Sequence, residues 1–257
     1  MNLGFLGTGA ITSAIVTGLD ADGSSHSIRL SPRNPAIAAE LAGRFANVAV
    51  AASNQALIDE CETVVIAVRP QITQNVLSEL RFRPGHKIVS LVSGFPVRTL
   101  SELVAPATRI ARAVPLPSAA RRRSPTAIYP RDAETVELFA RVGTAFAVDT
   151  ENEFDAFCTA TAIMATYFAF ADGAASWLAR HGIPEGEGRE YIARLLAGLA
   201  QTAVESPERS FEVLAADHAT RGGTNEQVLT HMRKHGAFEA FSEAMDGILR
   251  RVTAQTR

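Results

Sequence analysis

Met1-Asn-Leu-Gly-Phe-Leu-Gly7-Thr-Gly9-Ala-Ile-Thr-Ser-Ala14 opens the chain, and this stretch decides the fold. Residues 2–6 alternate too little for a half-wet strand and read as a buried parallel strand, which breaks at Gly7 and Gly9 into an apolar helix. Strand, glycine turn and helix start together suit a dinucleotide. Gly7 permits the turn, Gly9 lets backbone approach a pyrophosphate, and the helix N-terminus offers free N–H groups at its positive end. Gly7, Thr8, Gly9, Ala10 and Ile11 are therefore the first candidate cofactor-binding residues. Thr12 stands where the strict fingerprint has its third glycine, although Ser13 and Ala14 are small enough for close packing. An ordinary βα turn without a ligand is the alternative.

Strand and helix patterns continue to alternate outward from this turn. Residues 27–31, 48–51, 63–68 and 87–92 read as strands, with helices at 35–45, 54–61 and 71–80. Residues 109–114 and 126–129 read as a sixth strand and its extension, followed by a helix at 133–142 and a last strand at 145–148. Strands at this spacing with helices between them predict a doubly wound parallel sheet. Beyond residue 150 only helical periodicity is found, at 151–181, 184–206, 211–217, 225–234 and 237–253. The expected architecture is thus α/β over residues 1–149, a nucleotide-binding domain, followed by an all-helical domain over 150–257. That second domain carries more apolar residues at helical spacing than about 100 residues can hide internally, so an intersubunit helical interface and a homodimer are expected.

Composition excludes several classes. The net charge is −2, so no nucleic-acid or other polyanion partner is implied. Cys61 and Cys158 lie in apolar helical patterns and suggest neither a disulfide framework nor a metal site. The longest uncharged stretch, residues 156–171, falls short of the roughly 20 apolar residues of a membrane span. No basic segment precedes the first strand, so a cytoplasmic protein is expected. Of the 25 basic residues only Lys87 and Lys234 are lysines.

The second strand ends in Ser31-Pro-Arg33-Asn34. An acidic residue here would accept a ribose 2′-OH, whereas a basic one accommodates a 2′-phosphate. No carboxylate is near, and Ser31, Arg33 and Asn34 can all donate to a phosphate, so NADP(H) is favoured over NAD(H). Arg33 as a plain exposed residue at a helix start is the alternative. The fourth strand ends in Val68-Arg69-Pro70 and the fifth in residues 92–96, both at the carboxyl edge where open α/β sheets bind ligands.

These segments carry a resemblance. The glycine turn, Ser31-Pro-Arg33-Asn34, the Asn54 that opens a helix, Val68-Arg69-Pro70-Gln71 and the later loop Thr220-Arg221-Gly222-Gly223-Thr224-Asn225 together resemble the pyrroline-5-carboxylate reductase family. The resemblance implies a Rossmann domain, a helical dimerisation domain, NADPH as hydride donor and a cyclic imine carboxylate as substrate, 1-pyrroline-5-carboxylate above all. It also adds Asn54, Val68, Arg69 and Pro70 to the cofactor site. Arg221, Gly222, Gly223, Thr224 and Asn225 become the substrate loop, with Thr224 and Tyr167 on the catalytic side.

Three departures accompany it. Val114-Pro115-Leu116 replaces the family's Met-Pro-Asn, and residues 161–166 replace a run of small residues. In the loop, Arg221 and Asn225 stand where the family has Pro and Thr. On physical grounds, backbone N–H groups of Gly222, Gly223 and Thr224 before a helix could hold a carboxylate, and Arg221 could add a charge-assisted bond. A helix connector is the alternative for this loop, and core packing is the alternative for Tyr167 and Thr166. Three other functions stand beside this one. A hydroxy-acid dehydrogenase would need an acid/base lysine on the first helix of the second domain, where there is none. An NADP-binding regulator without turnover, or an imine reductase with a different substrate, would account for the departures.

Overall fold

The computed structural model describes residues 1–23 and 26–255. Its helices and strands divide into two units, Met1–Cys158 with the C-terminal stretch from Leu249, and Thr159–Ile248. The first unit is built on an eight-stranded sheet: β1 (Asn2–Leu6), β2 (Ser27–Leu30), β3 (Val48–Val50), β4 (Thr63–Ile66), β5 (Lys87–Ser90), β6 (Arg109–Val114), β7 (Ser124–Tyr129) and β8 (Gly143–Ala147), in the order 3-2-1-4-5-6-7-8. Helices α1 (Ala10–Asp20), α2 (Pro35–Arg44), α3 (Asn54–Glu60), α4 (Pro70–Ser78), α5 (Val97–Leu103) and α6 (Ala133–Ala140) connect them.

Side chains alternate across the sheet. Phe5, Leu30, Val65 and Val89 meet Ile15, Leu19 and Phe139 in one core, while Leu6, Ile66 and Ile88 meet Leu57, Leu77 and Leu100 in another. The chain runs outward through β2 and β3 and then returns to the far side of β1 as β4. That reversal leaves a crevice above the carboxyl ends of β1 and β4, the place where such sheets take ligands.

The doubly wound α/β class is as expected, but the sheet is mixed rather than all parallel. β7 runs antiparallel to β6, with Ala113 opposite Ile128, and β8 is again parallel to β7. Residues 115–123, which include a short 3-10 helix at Pro117–Arg121, are too few for the crossover that a parallel neighbour requires. The helix α5 lies where no helix was expected.

The expected single helix over residues 151–181 is two, α7 (Glu151–Ala160) and α8 (Ile163–Arg180). Between them Ala162 N bonds Thr159 O and Met164 N bonds Thr161 O, three-residue steps that tighten one turn. By length and composition the run Glu151–Arg180 could cross a membrane, a match the uncharged-stretch reading missed. Its first turns instead carry Glu151 and Asp155, both held against Arg112 of the sheet.

The second unit contains α8, α9 (Glu185–Glu205), α10 (Phe211–His218), α11 (Thr224–Lys234) and the start of α12 (Ala237–Gln255). α8 and α11 bury no residue, and α9 buries only Gly188. Phe168 is 69% exposed and Phe211 81% exposed. Apolar faces this open need another layer to cover them.

Candidate active site

The glycine turn is held from within. Gly7 has φ +112°, a conformation L side chains rarely adopt, and an added Cβ would meet Ala67 O at 2.5 Å. Gly7 N donates to Ser31 Oγ (3.1 Å), and Thr8 Oγ1 donates to Ser31 O (2.9 Å). Thr12, in the place of the third glycine, is fully buried and its Oγ1 donates to Gly7 O at 2.7 Å. The threonine at this place therefore adds a bond that glycine could not make: its hydroxyl ties the first turn of α1 back to the glycine turn.

Gly9 differs from Gly7. It caps α1 in ordinary extended backbone, φ −113° and ψ −169°, without a side-chain bond to the helix. A Cβ built on it meets nothing within 4 Å. The helical ladder starts at this cap with Ser13 N donating to Gly9 O, so the amides of Ala10, Ile11 and Thr12 precede it. The result is an open cradle with N–H donors on its floor.

Around it stand the other predicted cofactor residues. Ser31 is buried, its hydroxyl engaged with the turn, so its place is behind the cradle rather than at its mouth. Arg33 is exposed and has no side-chain partner among the described residues. Asn34 caps α2 with no side-chain bond to it, and Pro35 takes the first helical position. Asn54 opens α3 as expected, and Ser53 caps the helix, its Oγ accepting from Ala56 N at 3.1 Å. Asn54 Oδ1 is buried with no hydrogen-bond partner among the described residues, an acceptor of the kind a bound hydroxyl would satisfy. Arg69 caps α4, its carbonyl accepting from Thr73 Oγ1 and Ile72 N, while Pro70 opens that helix and Val68 is half-buried.

In the second unit, Gly222 takes φ +75° and Gly223 caps α11. Two of the amides predicted to hold a carboxylate are already used. Gly222 N donates to Glu226 Oε2 at 2.6 Å and Gly223 N to Thr220 O at 2.7 Å. Asn225 Nδ2 donates to His218 O at 2.9 Å, which fastens the loop to the end of α10. Thr224 and Arg221 are exposed, and Thr224 and Asn225 open the helix with amides ahead of its first bond, Gln227 N to Gly223 O. Tyr167 is 42% exposed, packs edge-on against Phe168, and shares an apolar groove with His218.

No acid/base lysine stands at either place. Lys87 is buried at the start of β5 with its Nζ 2.5 Å from Asp132 Oδ1. Burial pushes the Asp132 carboxyl up, but hydrogen bonds from Lys87 and Thr135 outweigh it and hold the group below its usual value. His181, His218 and His235 each donate from Nδ1 to the carbonyl four residues back. Burial pushes the Cys61 thiol up to about 11 and Cys158 to about 12, so neither is a thiolate near neutrality.

Sequence reasoning missed one group. Arg112 on β6 is 1% exposed, its guanidinium 4.4 Å from the Phe154 ring centroid. Nη1 donates to Glu151 Oε1 at 2.9 Å, and Nη2 lies 3.3 Å from Asp155 Oδ1. The Asp155 carboxyl is raised, chiefly by burial and secondarily by Glu151, against the opposing charge of Arg112. A charge between Ala111 and Ala113 in an apolar strand was the signal that could have found it.

Two family models divide this chain. Residues 2–94 match the model described as NADP oxidoreductase coenzyme F420-dependent, and residues 151–254 match pyrroline-5-carboxylate reductase dimerisation. Pyrroline-5-carboxylate reductase 3 of Xenopus laevis is 23% identical over 95% of the chain and 92% of its own length. The Methanosarcina acetivorans pyrroline-5-carboxylate reductase is 26% identical over 95% and 93%. The chain is similar to pyrroline-5-carboxylate reductases along nearly its whole length. Solved structures agree in fold. The Streptococcus pyogenes 1-pyrroline-5-carboxylate reductase superposes with a TM-score of 0.86 at 24% identity, covering 99% of this chain and 98% of that one. The Plasmodium falciparum pyrroline carboxylate reductase, solved with NADP bound, gives 0.84 at 16% identity over 100% and 98%.

Proposed function

We propose that this chain is a pyrroline-5-carboxylate reductase-like enzyme that reduces the C=N bond of a cyclic imine carboxylate with NADPH, 1-pyrroline-5-carboxylate to proline being the leading reaction. The observation that carries the nucleotide half is the cradle at Gly9, open to the crevice and floored by the amides of Ala10 and Ile11. Gly7, Thr8 and Ser31 hold its shape. Arg33 and Asn34, with the buried Asn54 Oδ1, suit the adenosine ribose and its 2′-phosphate. Val68, Arg69 and Pro70 line the next strand end toward the nicotinamide.

The bound cofactor supplies a hydride, and the imine needs orientation and a proton on nitrogen rather than a strong base. For the substrate carboxylate the loop offers the Thr224 and Asn225 amides and the Thr224 hydroxyl, with Arg221 nearby in sequence to balance charge. Gly222 and Gly223 shape the loop, since their amides are already bonded. Tyr167 presents a phenol on the same unit's apolar groove, an orienting or proton-donating group. Leu116, Ile163 and Met164 are bulkier or less polar than their family counterparts, which supports a related imine as the second substrate reading.

The exposed faces of α8, α9 and α11 suit pairing with a second copy, in a cytoplasmic homodimer. The test is NADPH oxidation over five- and six-membered cyclic imine carboxylates. Steady consumption with one of them supports the proposal; none, at any substrate, would leave only a nucleotide-binding protein.

A further inference from the structure

One oxygen of Glu151 gathers three segments. Its Oε1 accepts from Arg112 Nη1 at 2.9 Å and from Val97 N at 2.8 Å. Arg112 stands on β6 just ahead of Val114-Pro115-Leu116, and Val97 follows Ser93-Gly94-Phe95-Pro96 directly. Those are the carboxyl-edge loops of β6 and β5, on the far side of the switch point from β2 and its Ser31-Arg33 turn. Glu151 itself is the first residue of α7.

The arrangement is an expensive way to hold a fold together. Arg112 is almost wholly removed from water, its Nε has no partner among the described residues, and apolar packing of equal volume would usually serve stability as well. What an ionic cluster supplies and apolar contact does not is direction. The guanidinium fork, clamped between the Phe154 ring and two carboxylates, can bond Glu151 in few orientations, and Glu151 in turn fixes the Val97 amide.

We propose that Glu151, held by Arg112, is a positioning residue: it sets the β5 and β6 edge loops against each other so that hydride donor and imine meet in reactive geometry. The inference rests on the reading of this chain as an NADPH-dependent imine reductase. Hydride transfer is sensitive to misplacement of this kind, because the reacting atoms must be presented at close range. Neither Glu151 nor Arg112 needs to touch the substrate. Their effect passes through residues 93–97 and 114–116.

Two variants test it. Glu151→Gln keeps the shape and removes the charge. Val97→Pro removes one donor and leaves the Arg112–Glu151 pair intact; proline suits the first helical position, and Pro96 at ψ 160° already has the conformation a following proline requires. In both, kcat should fall at least tenfold with KM for NADPH and its Kd within about threefold. The primary isotope effect with 4-deuterated NADPH should rise, and amide exchange over residues 93–96 and 114–116 should accelerate. If Glu151→Gln does not fold, Val97→Pro alone decides. Unchanged exchange overturns the proposal, and so does faster exchange with unchanged kcat, which would make the cluster a structural tie only. Absence of turnover by the unmodified protein on every imine would count against the functional reading, while the exchange comparison still decides whether Glu151 holds the two loops.

Discussion

Replacing Gly9 by Ala separates the fold from the nucleotide site, because the structure gives the two glycines of the turn different reasons to exist. At Gly9 the backbone is ordinary extended chain and a Cβ finds nothing within 4 Å. The change removes unfolded-state freedom, worth about 0.4–1 kcal/mol in favour of the folded protein, and loses part of the preference for glycine over alanine at a helix cap, worth a few tenths or more against it. Stability should therefore stay within about 1 kcal/mol. The same methyl enters the cradle. If it displaces a pyrophosphate from even one amide, the lost charge-assisted bond is worth about 1.5–3 kcal/mol, a weakening of Kd by roughly 10- to 150-fold. Gly7→Ala should behave in the opposite sense. With φ +112° and backbone Ala67 O at 2.5 Å, no flexible side chain can yield, and strain of about 1–3 kcal/mol falls on the fold itself. Calorimetric titration of NADPH alongside thermal unfolding reads both quantities. NADPH affinity unchanged in Gly9→Ala would refute the assignment of this turn to the pyrophosphate.

Other predictions follow from single features. Arg33→Ala should narrow the preference for NADPH over NADH in paired titrations, since Arg33 is an exposed cation just past β2 with no side-chain partner among the described residues; an unmodified protein that binds both equally would remove the 2′-phosphate reading. Gly223→Val should abolish imine turnover with NADPH affinity kept within a few fold, because a Cβ there meets Thr220 O at 2.8 Å and the loop must shift; full turnover would place the substrate elsewhere. His26 and His86 are held below their ordinary value of 6.5, chiefly by burial. The unfolded chain then takes up protons first, so stability is complete above about 6.5 and declines as pH falls through that value toward the folded ones. A melting temperature that does not fall between pH 7 and pH 5 would contradict this.

How much of this was legible in the sequence depends on the range of the forces involved. The βα alternation is local patterning, and so β1 to β6 lie where the apolar runs put them. The antiparallel β7 was hidden because its direction depends on the length of the 115–123 connection, which carries no periodic signal. The break at residues 161–162 was hidden likewise, since helical periodicity runs through it. Among the candidate site residues, Gly7, Gly9 and Arg33 are proposed from residue type alone. The inward turn of Ser31, the use of Thr12 as a tie, and the capture of the Gly222 amide by Glu226 are set by contacts between side chain and backbone that no spacing rule fixes. Arg112 belongs to the same class, a charge whose partners Glu151 and Asp155 lie far along the chain.

Imine reduction by this protein requires that a hydride pass from NADPH to the carbon of a cyclic C=N bond. Incubating the protein with NADPH deuterated at C4 on the transferred face and with 1-pyrroline-5-carboxylate, then recording the product by NMR, tests it directly. One deuterium is expected at the ring carbon next to nitrogen that was the imine carbon, with one NADPH consumed for each proline formed. Proline without deuterium after both C4 faces have been labelled in turn, or no NADPH oxidation with this or any related cyclic imine, would contradict it.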